Sequence, residues 1–276
     1  MITLDMANLE MYCITLKDSH YNLIKSIGYI PVGLGNNIKT KEFLKDDTGV
    51  NIAKKNSNYG EYTFHYWLWK NKIDHIKDNW VGFCQYRKFW INKEVNEKIN
   101  DFQKFKEIIL NHIPKEYDNY ESILGEQLFV NQFRLSKFIK NNLFTMIRNP
   151  VLFLNKNKRN LRFHFNMMHG KENLDKAINL LDISEKKDFE LFMENSVSFN
   201  PHNMFMCKSK EKLKLYYESI FPWLERCERE FKFDLEGYGL KRIYGFLAER
   251  YMSYWFKKYT KFKTMPILFK DLSDFQ

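Results

Sequence analysis

Residues 81–90 read VGFCQYRKFW, and the reading of that run decides the fold. Val81, Gly82, Phe83 and Cys84 have the character of a buried strand, and Gln85, Tyr86, Arg87 and Lys88 follow at once. An open α/β sheet binds its ligands outside the carboxyl ends of its strands, on residues supplied by the loops there. An amide, a phenol and two cations in that position are binding groups.

Upstream, LEMYCIT, ending on Thr15, reads as a first buried strand, and YIPVGLG (29–35) as a second, broken by Gly33 and Gly35. SHYNLIKSI between them is a short helix. Residues 46–58, DDTGVNIAKKNSN, hold almost no apolar side chains and many turn formers, so they read as a loop long enough to serve a function. YGEYTFHYWLWKN (59–71) reads as a helix with Tyr62, His65, Tyr66 and Trp69 on one face and Trp67 and Trp69 in the core. Glu61 in its first turn suits the helix macrodipole.

Downstream come a charged helix-like stretch (93–111), a strand YESILGEQLFV (120–130) and a basic surface excursion (134–162). Helices are expected over 172–182 and 185–196. FNPHNMFMCKS (199–209) then leads into a short strand from Met204 to Cys207. Two long helices close the chain, 210–231 with a break near Pro222, and 240–262. Strands and helices alternate early and helices dominate late, which makes the class α/β with a helix-rich C-terminal part.

A chain of 276 residues buries about three quarters of its unfolded surface, so one large domain is expected. The net charge of +10 and an aromatic content of 17% point to an anionic, flat or amphiphilic partner: nucleic acid, nucleotide or membrane surface. Cys13, Cys84, Cys207 and Cys227 show no C-x-x-C spacing and read as reduced core thiols. The N-terminus has no apolar signal core, and nowhere do about 18 apolar residues run uninterrupted, so the expected location is cytoplasmic.

For chemistry, Lys54, Lys55 and Arg87 are candidates to neutralise a diphosphate, and Asn51 and Asn56 to meet a base or ribose edge. Arg87 pairing with a structural carboxylate such as Glu61 is the alternative. No P-loop, dinucleotide fingerprint, H-E-x-x-H or nucleophile elbow is present. No Asp-x-Asp follows an apolar strand to ligate Mn²⁺ or Mg²⁺, and the late DLSDF reads as tail charge. The cations are therefore expected to take the metal's part, with the divalent ion left open. Among general bases, Glu249 comes first, because Arg242 and Glu249 lie seven residues apart on one helix face. His202 and His169 come next, against the plainer reading of loop histidines held by backbone. The stretch YMSYWFKKYTKFK (251–263) is either a helix resting on an anionic membrane or a packed helix with a solvated tail.

The run DDTGVNIAKKNSNYGEYTFHYWLWKN (46–71), the strand end QYRK, and the later FNMMHGKENLDKAINLL, PHNMFMCK and RIYGFLAER occur in the order that resembles a bacterial glycosyltransferase-like family. That family, from capsular and exopolysaccharide gene clusters, is catalogued as a domain of unknown function. The resemblance covers roughly residues 8 to 256. It implies a GT-A-like Rossmann-type mixed sheet, a nucleotide-sugar donor, UDP-linked by preference, and transfer to a growing surface polysaccharide or its lipid-linked precursor. A nucleotide-sugar half (8–135), an acceptor-side helical half (136–262) and a tail (263–276) follow from it, as does a peripheral site at the inner membrane face. On this reading Gln85, Tyr86, Asn203 and Arg242 join the donor contacts, with Tyr59 and Glu61 beside them.

Gln85 and Lys88 stand where the family has His and Arg, and Ala53 where Ser is frequent. Gln85 hydrogen-bonds but cannot act as an acid or base near neutral pH, so it reads as a binding contact. That departure keeps an inactive carbohydrate- or nucleotide-binding protein in view. A nucleic-acid-binding protein is less well supported, since the cations are spread along the chain and the aromatics sit at core spacing.

Overall fold

The computed structural model describes residues 8–35, 38–77, 80–132 and 158–276. The basic stretch expected at 134–162 thus lies mostly outside the described residues. In chain order, β1 (Leu9–Thr15) leads through α1 (Tyr21–Ser26) to β2 (Ile30–Gly33) and β3 (Leu44–Lys45), and α2 (Asn56–Tyr59) and α3 (Tyr62–Asn71) follow. Next come β4 (Trp80–Gln85), β5 (Lys88–Trp90), α4 (Phe102–Ile108), β6 (Ser122–Gly125) and β7 (Leu128–Phe129). The later part holds α5 (Leu161–His169), α6 (Asn173–Asn179), α7 (Ile183–Asn195), β8 (Ser198–Phe199) and β9 (Phe205–Cys207). It ends with α8 (Lys210–Phe231), α9 (Tyr238–Lys241), α10 (Ile243–Tyr259), β10 (Phe262–Met265) and β11 (Ile267–Phe269).

The main sheet runs β10-β6-β9-β4-β1-β2-β3, with β5 and β11 attached beside β4. β1 pairs in parallel with β2 on one side and β4 on the other, while β9 is antiparallel to both β4 and β6. The chain therefore moves outward from β1 to β3 and then returns to lay β4 on β1's other edge. Such a reversal opens a crevice at the carboxyl ends of the two central strands. Those ends are Thr15 and Gln85.

Alternation along the strands feeds two cores. Tyr12, Ile14, Val81 and Phe83 pack under α3, α8 and α10, whereas Met11, Cys13, Trp80 and Cys84 face the side of α1 and α4. Burying both faces explains why β1 and β4 read as unbroken apolar runs. All four cysteines are free and buried, as the lack of C-x-x-C spacing suggests.

Three expectations are corrected. Residues 263–276 are not a tail: Phe262–Met265 pairs in parallel with β6, Ile267–Phe269 pairs with β5, and Leu272–Phe275 forms a 3-10 turn. α8 runs unbroken through Pro222, because Tyr216, Tyr217, Ile220, Phe221, Trp223 and Leu224 are all buried and their packing outweighs the lost backbone bond. Residues 53–58, expected as loop, lie in a 3-10 turn and in α2. Most of the apolar side chains of the 251–263 stretch are interior: Tyr251, Met252, Tyr254, Trp255 and Phe256 are buried, while Tyr259 is exposed, which leaves the packed-helix reading. No helix among the described residues is long and apolar enough to cross a membrane.

Candidate functional site

A cleft of about 330 Å³ opens where β1 and β4 end, and an adjoining compartment of about 180 Å³ continues it towards α10. Thr15, Tyr86 and Arg87 line only the larger space; His202, Asn203 and Glu249 line only the smaller. Glu61, Gln85, Lys88, Tyr238 and Arg242 face both.

Glu61 is the hub. One of its oxygens accepts from Asn203 Nδ2 at 2.9 Å and Gln85 Nε2 at 3.3 Å, and the other meets Arg242 Nη2 at 3.5 Å. Gln85 also donates to the His202 carbonyl at 3.0 Å, and its own carbonyl accepts from Lys88 Nζ at 3.0 Å. The hairpin explains that last bond. A two-residue turn, Tyr86–Arg87, sets Gln85 and Lys88 opposite one another in the β4–β5 pair. Lys88 thereby returns into the cleft. Burial holds its ammonium below the usual lysine range, against the pull of Glu61 and Glu249. An incoming anion would relieve that cost.

His202 and Asn203 both have positive φ, 79° and 53°, a backbone that costs about 1–3 kcal/mol per residue outside glycine. Surrounding bonds hold it in place. The His202 N–H donates to Glu249 Oε1 at 2.5 Å, and Asn203 Nδ2 reaches Glu61 and, at 3.3 Å, the Gly245 carbonyl. Glu249 Oε2 pairs with the buried Arg250 guanidinium, which lies 4.0 Å from the centre of the Phe199 ring. Burial raises the Glu249 carboxyl above the ordinary range while Arg250 pulls it down. The His202 imidazole is pushed by burial, and secondarily by Lys88, down to about 4, so it is neutral at pH 7.

Of the residues singled out from sequence, Asn56, Glu61, Gln85, Tyr86, Arg87, His202, Asn203, Arg242 and Glu249 meet at this cleft. Arg87 does so while 58% exposed and paired with Asp271 at 2.7 Å, not with Glu61. The others lie elsewhere. Lys55 Nζ and the Tyr59 hydroxyl both bond Glu228 of α8, at 2.6 and 2.7 Å. Lys54 is exposed on the outer turn, and Asn51 shapes its own loop by accepting from Ala53 N and donating to Gly49 O. His169 is buried, with Nδ1 3.0 Å from the Gly239 carbonyl and its ring stacked on Phe246, and burial drives it down to about 3. It supports the cleft wall from behind.

Sequence reasoning passed over Tyr238 and Gly60, and counted Lys88 among the cations at the strand end without giving it a role of its own. The hairpin rule would have found Lys88, since residues i and i+3 of a two-residue turn face each other. Gly60 (φ +60°) has no local signal: a Cβ there would stand 2.3 Å from Arg242 Nη2. Gly60→Ala is expected to destabilise the fold by about 1 kcal/mol or more and to displace Arg242 from the cleft. Thermal melting together with UDP titration checks this; unchanged UDP affinity would mean that Arg242 does not serve the ligand.

A family model described as "Domain of unknown function (DUF4422)" matches residues 10–261. No curated protein matches the chain. Among solved structures, the apo form of WbbM, a bifunctional glycosyltransferase, superposes with a TM-score of 0.68 over 95% of this chain, at 22% identity. The match takes up 45% of the WbbM chain, so this chain spans less than half of it. At that identity the likeness is one of fold, the GT-A-like mixed sheet flanked by helices.

Proposed function

The chain belongs to the DUF4422 family, a membership that carries no activity by itself, and from the chemistry of its cleft we propose that it is a glycosyltransferase using a nucleotide-sugar donor, UDP-linked by preference. The observation that carries this reading is the pairing, at the switch point between β1 and β4, of two cations with a buried carboxylate whose proton affinity is raised. Lys88 and Arg242 face the diphosphate, and Glu249 faces the acceptor. The acceptor is a surface polysaccharide or its lipid-linked precursor, and the reaction belongs on the cytoplasmic side, where nucleotide sugars are drawn on.

In an inverting transfer, the acceptor hydroxyl oxygen attacks the anomeric carbon and its proton passes to Glu249. The bond from that carbon to the diphosphate breaks, and the electron pair leaves on the phosphate oxygen, where Lys88 and Arg242 meet the charge. Glu249 has capacity for this, because a carboxylate offers about four acceptor sites and two are taken by His202 N–H and Arg250. Gln85 cannot act as an acid or base near neutral pH; its bonds to Lys88, Glu61 and the 202 carbonyl make it the spacer that aims the others. Among the described residues no three His, Cys, Asp or Glu side chains stand together to hold a metal ion. The donor charge is assigned to Lys88 and Arg242 because both face the two compartments.

Calorimetry against UDP, GDP and CMP, with and without Mn²⁺, tests the reading. Micromolar binding to one of them is expected; binding to none would overturn it, and binding only with Mn²⁺ would return the diphosphate to a metal. Arg87→Ala is expected to weaken UDP less than about fivefold, since an exposed pair such as Arg87–Asp271 contributes only about 0–1 kcal/mol. Loss of binding in that variant would shift the diphosphate out to the hairpin tip.

A further inference from the structure

The two compartments differ in what they can hold. The larger falls within the roughly 300–1,000 Å³ of ordinary ligand pockets and the smaller below it. A compartment of about 180 Å³ with Glu249 and neutral His202 in its walls suits a single sugar ring, and anything longer must lie across its mouth. Two exposed rings border the compartment, Tyr238 in its lining and Phe269 against its His202. Tyr238 is 70% exposed, its ring 5.7 Å from the Arg242 guanidinium and 5.9 Å from Phe246. Phe269 is 64% exposed and meets the His202 ring edge-on at 5.4 Å.

Large aromatics so open to solvent beside a polar cleft are uneconomical for folding alone and mark a binding surface. Their surroundings select the ligand. A pyranose presents hydroxyls at its edge and C–H groups on its faces, so it takes polar partners within and a ring beneath. A nucleobase would need its stacking partner a diphosphate's length away from Lys88 and Arg242, whereas Tyr238 lies directly on Arg242. Both rings are also held in place. Tyr238 opens α9 just after Gly237 (φ +82°), and Phe269 is fixed by the pairing of β11 with β5 opposite Lys88.

Resting on the glycosyltransferase reading, we propose that Tyr238 and Phe269 are the platforms of a saccharide acceptor site. The terminal ring of the acceptor enters the compartment with a hydroxyl towards Glu249, and the preceding residues of the chain lie over the exposed rings. The acceptor is thus recognised as carbohydrate, over more than one sugar unit.

The test uses the whole chain, saturated with UDP, on an array of bacterial glycans, alongside calorimetry with UDP alone. The wild type is expected to retain a small set of glycans, and Tyr238→Ala and Phe269→Ala each to weaken them about tenfold, the Phe269 variant with UDP affinity unchanged because that ring lines neither compartment. Tyr238→Trp, which keeps the platform, is expected to restore binding. Glycan binding unaffected by either alanine overturns the proposal, as does a wild type that binds UDP but no glycan. Tyr238→Ala losing UDP would assign that ring to the nucleotide instead. Failure of the wild type to bind any nucleotide would sink the parent reading, and that failure is visible separately in the calorimetry.

Discussion

Glu249→Gln is expected to reduce sugar transfer by about 10²–10⁴-fold with UDP affinity intact, because it removes the group that takes the acceptor proton. The amide keeps an oxygen to accept from the His202 N–H, so the strained turn at 202–203 retains its anchor. It does leave the buried Arg250 without its counter-charge, a change that can cost about 3–5 kcal/mol. A melting curve and UDP calorimetry therefore accompany the kinetics. Variant protein that is folded, binds UDP and still transfers within tenfold of wild type would remove Glu249 from the role of base. The pH profile gives an independent sign. A base works deprotonated, and burial raises this carboxyl, so turnover should fall on the acid side at a pH above the ordinary glutamate range of about 4.3. That limb should vanish in Glu249→Gln.

Lys88→Ala and Arg242→Ala are each expected to weaken UDP about 10–150-fold, as hydrogen bonds to charged groups contribute about 1.5–3 kcal/mol. The two should not add simply. Lys88 bonds Gln85 and Arg242 meets Glu61, while Gln85 and Glu61 bond each other, so each deletion disturbs the other cation's support. A double variant should bind below detection. Calorimetry decides: if Lys88→Ala holds UDP as tightly as wild type, the diphosphate lies elsewhere.

Much of this was legible because it is local. The apolar runs that became β1 and β4 and the helix 210–231 follow from periodicity along the chain, as does the placing of Glu249 two turns into α10 from Arg242 at its N-cap. The likeness of RIYGFLAER and PHNMFMCK to family motifs drew attention to Glu249, His202 and Asn203. Where the reading went astray, direction in space was the missing quantity. Lys54, Lys55 and Arg87 are three cations near the right strand ends, yet Lys55 turns to Glu228, Arg87 to Asp271, and Lys54 to solvent. Asp271 itself belongs to a segment that sequence treats as tail charge.

The sequence by itself determined the class of the fold, its central strands and the chemical types gathered at their ends, since hydrophobic patterning acts over a few residues. Only the tertiary structure decided which of those groups face the cleft. The β4–β5 hairpin turns Lys88 inward, the pairing of 262–269 into the sheet brings Asp271 to Arg87 and Phe269 to His202, and Glu61 gathers side chains from three separate stretches. The contacts of Arg87 with Asp271 and of Glu61 with Asn203 and Arg242 join residues more than a hundred positions apart, and they form only because burying both faces of one sheet fixes where every loop must emerge.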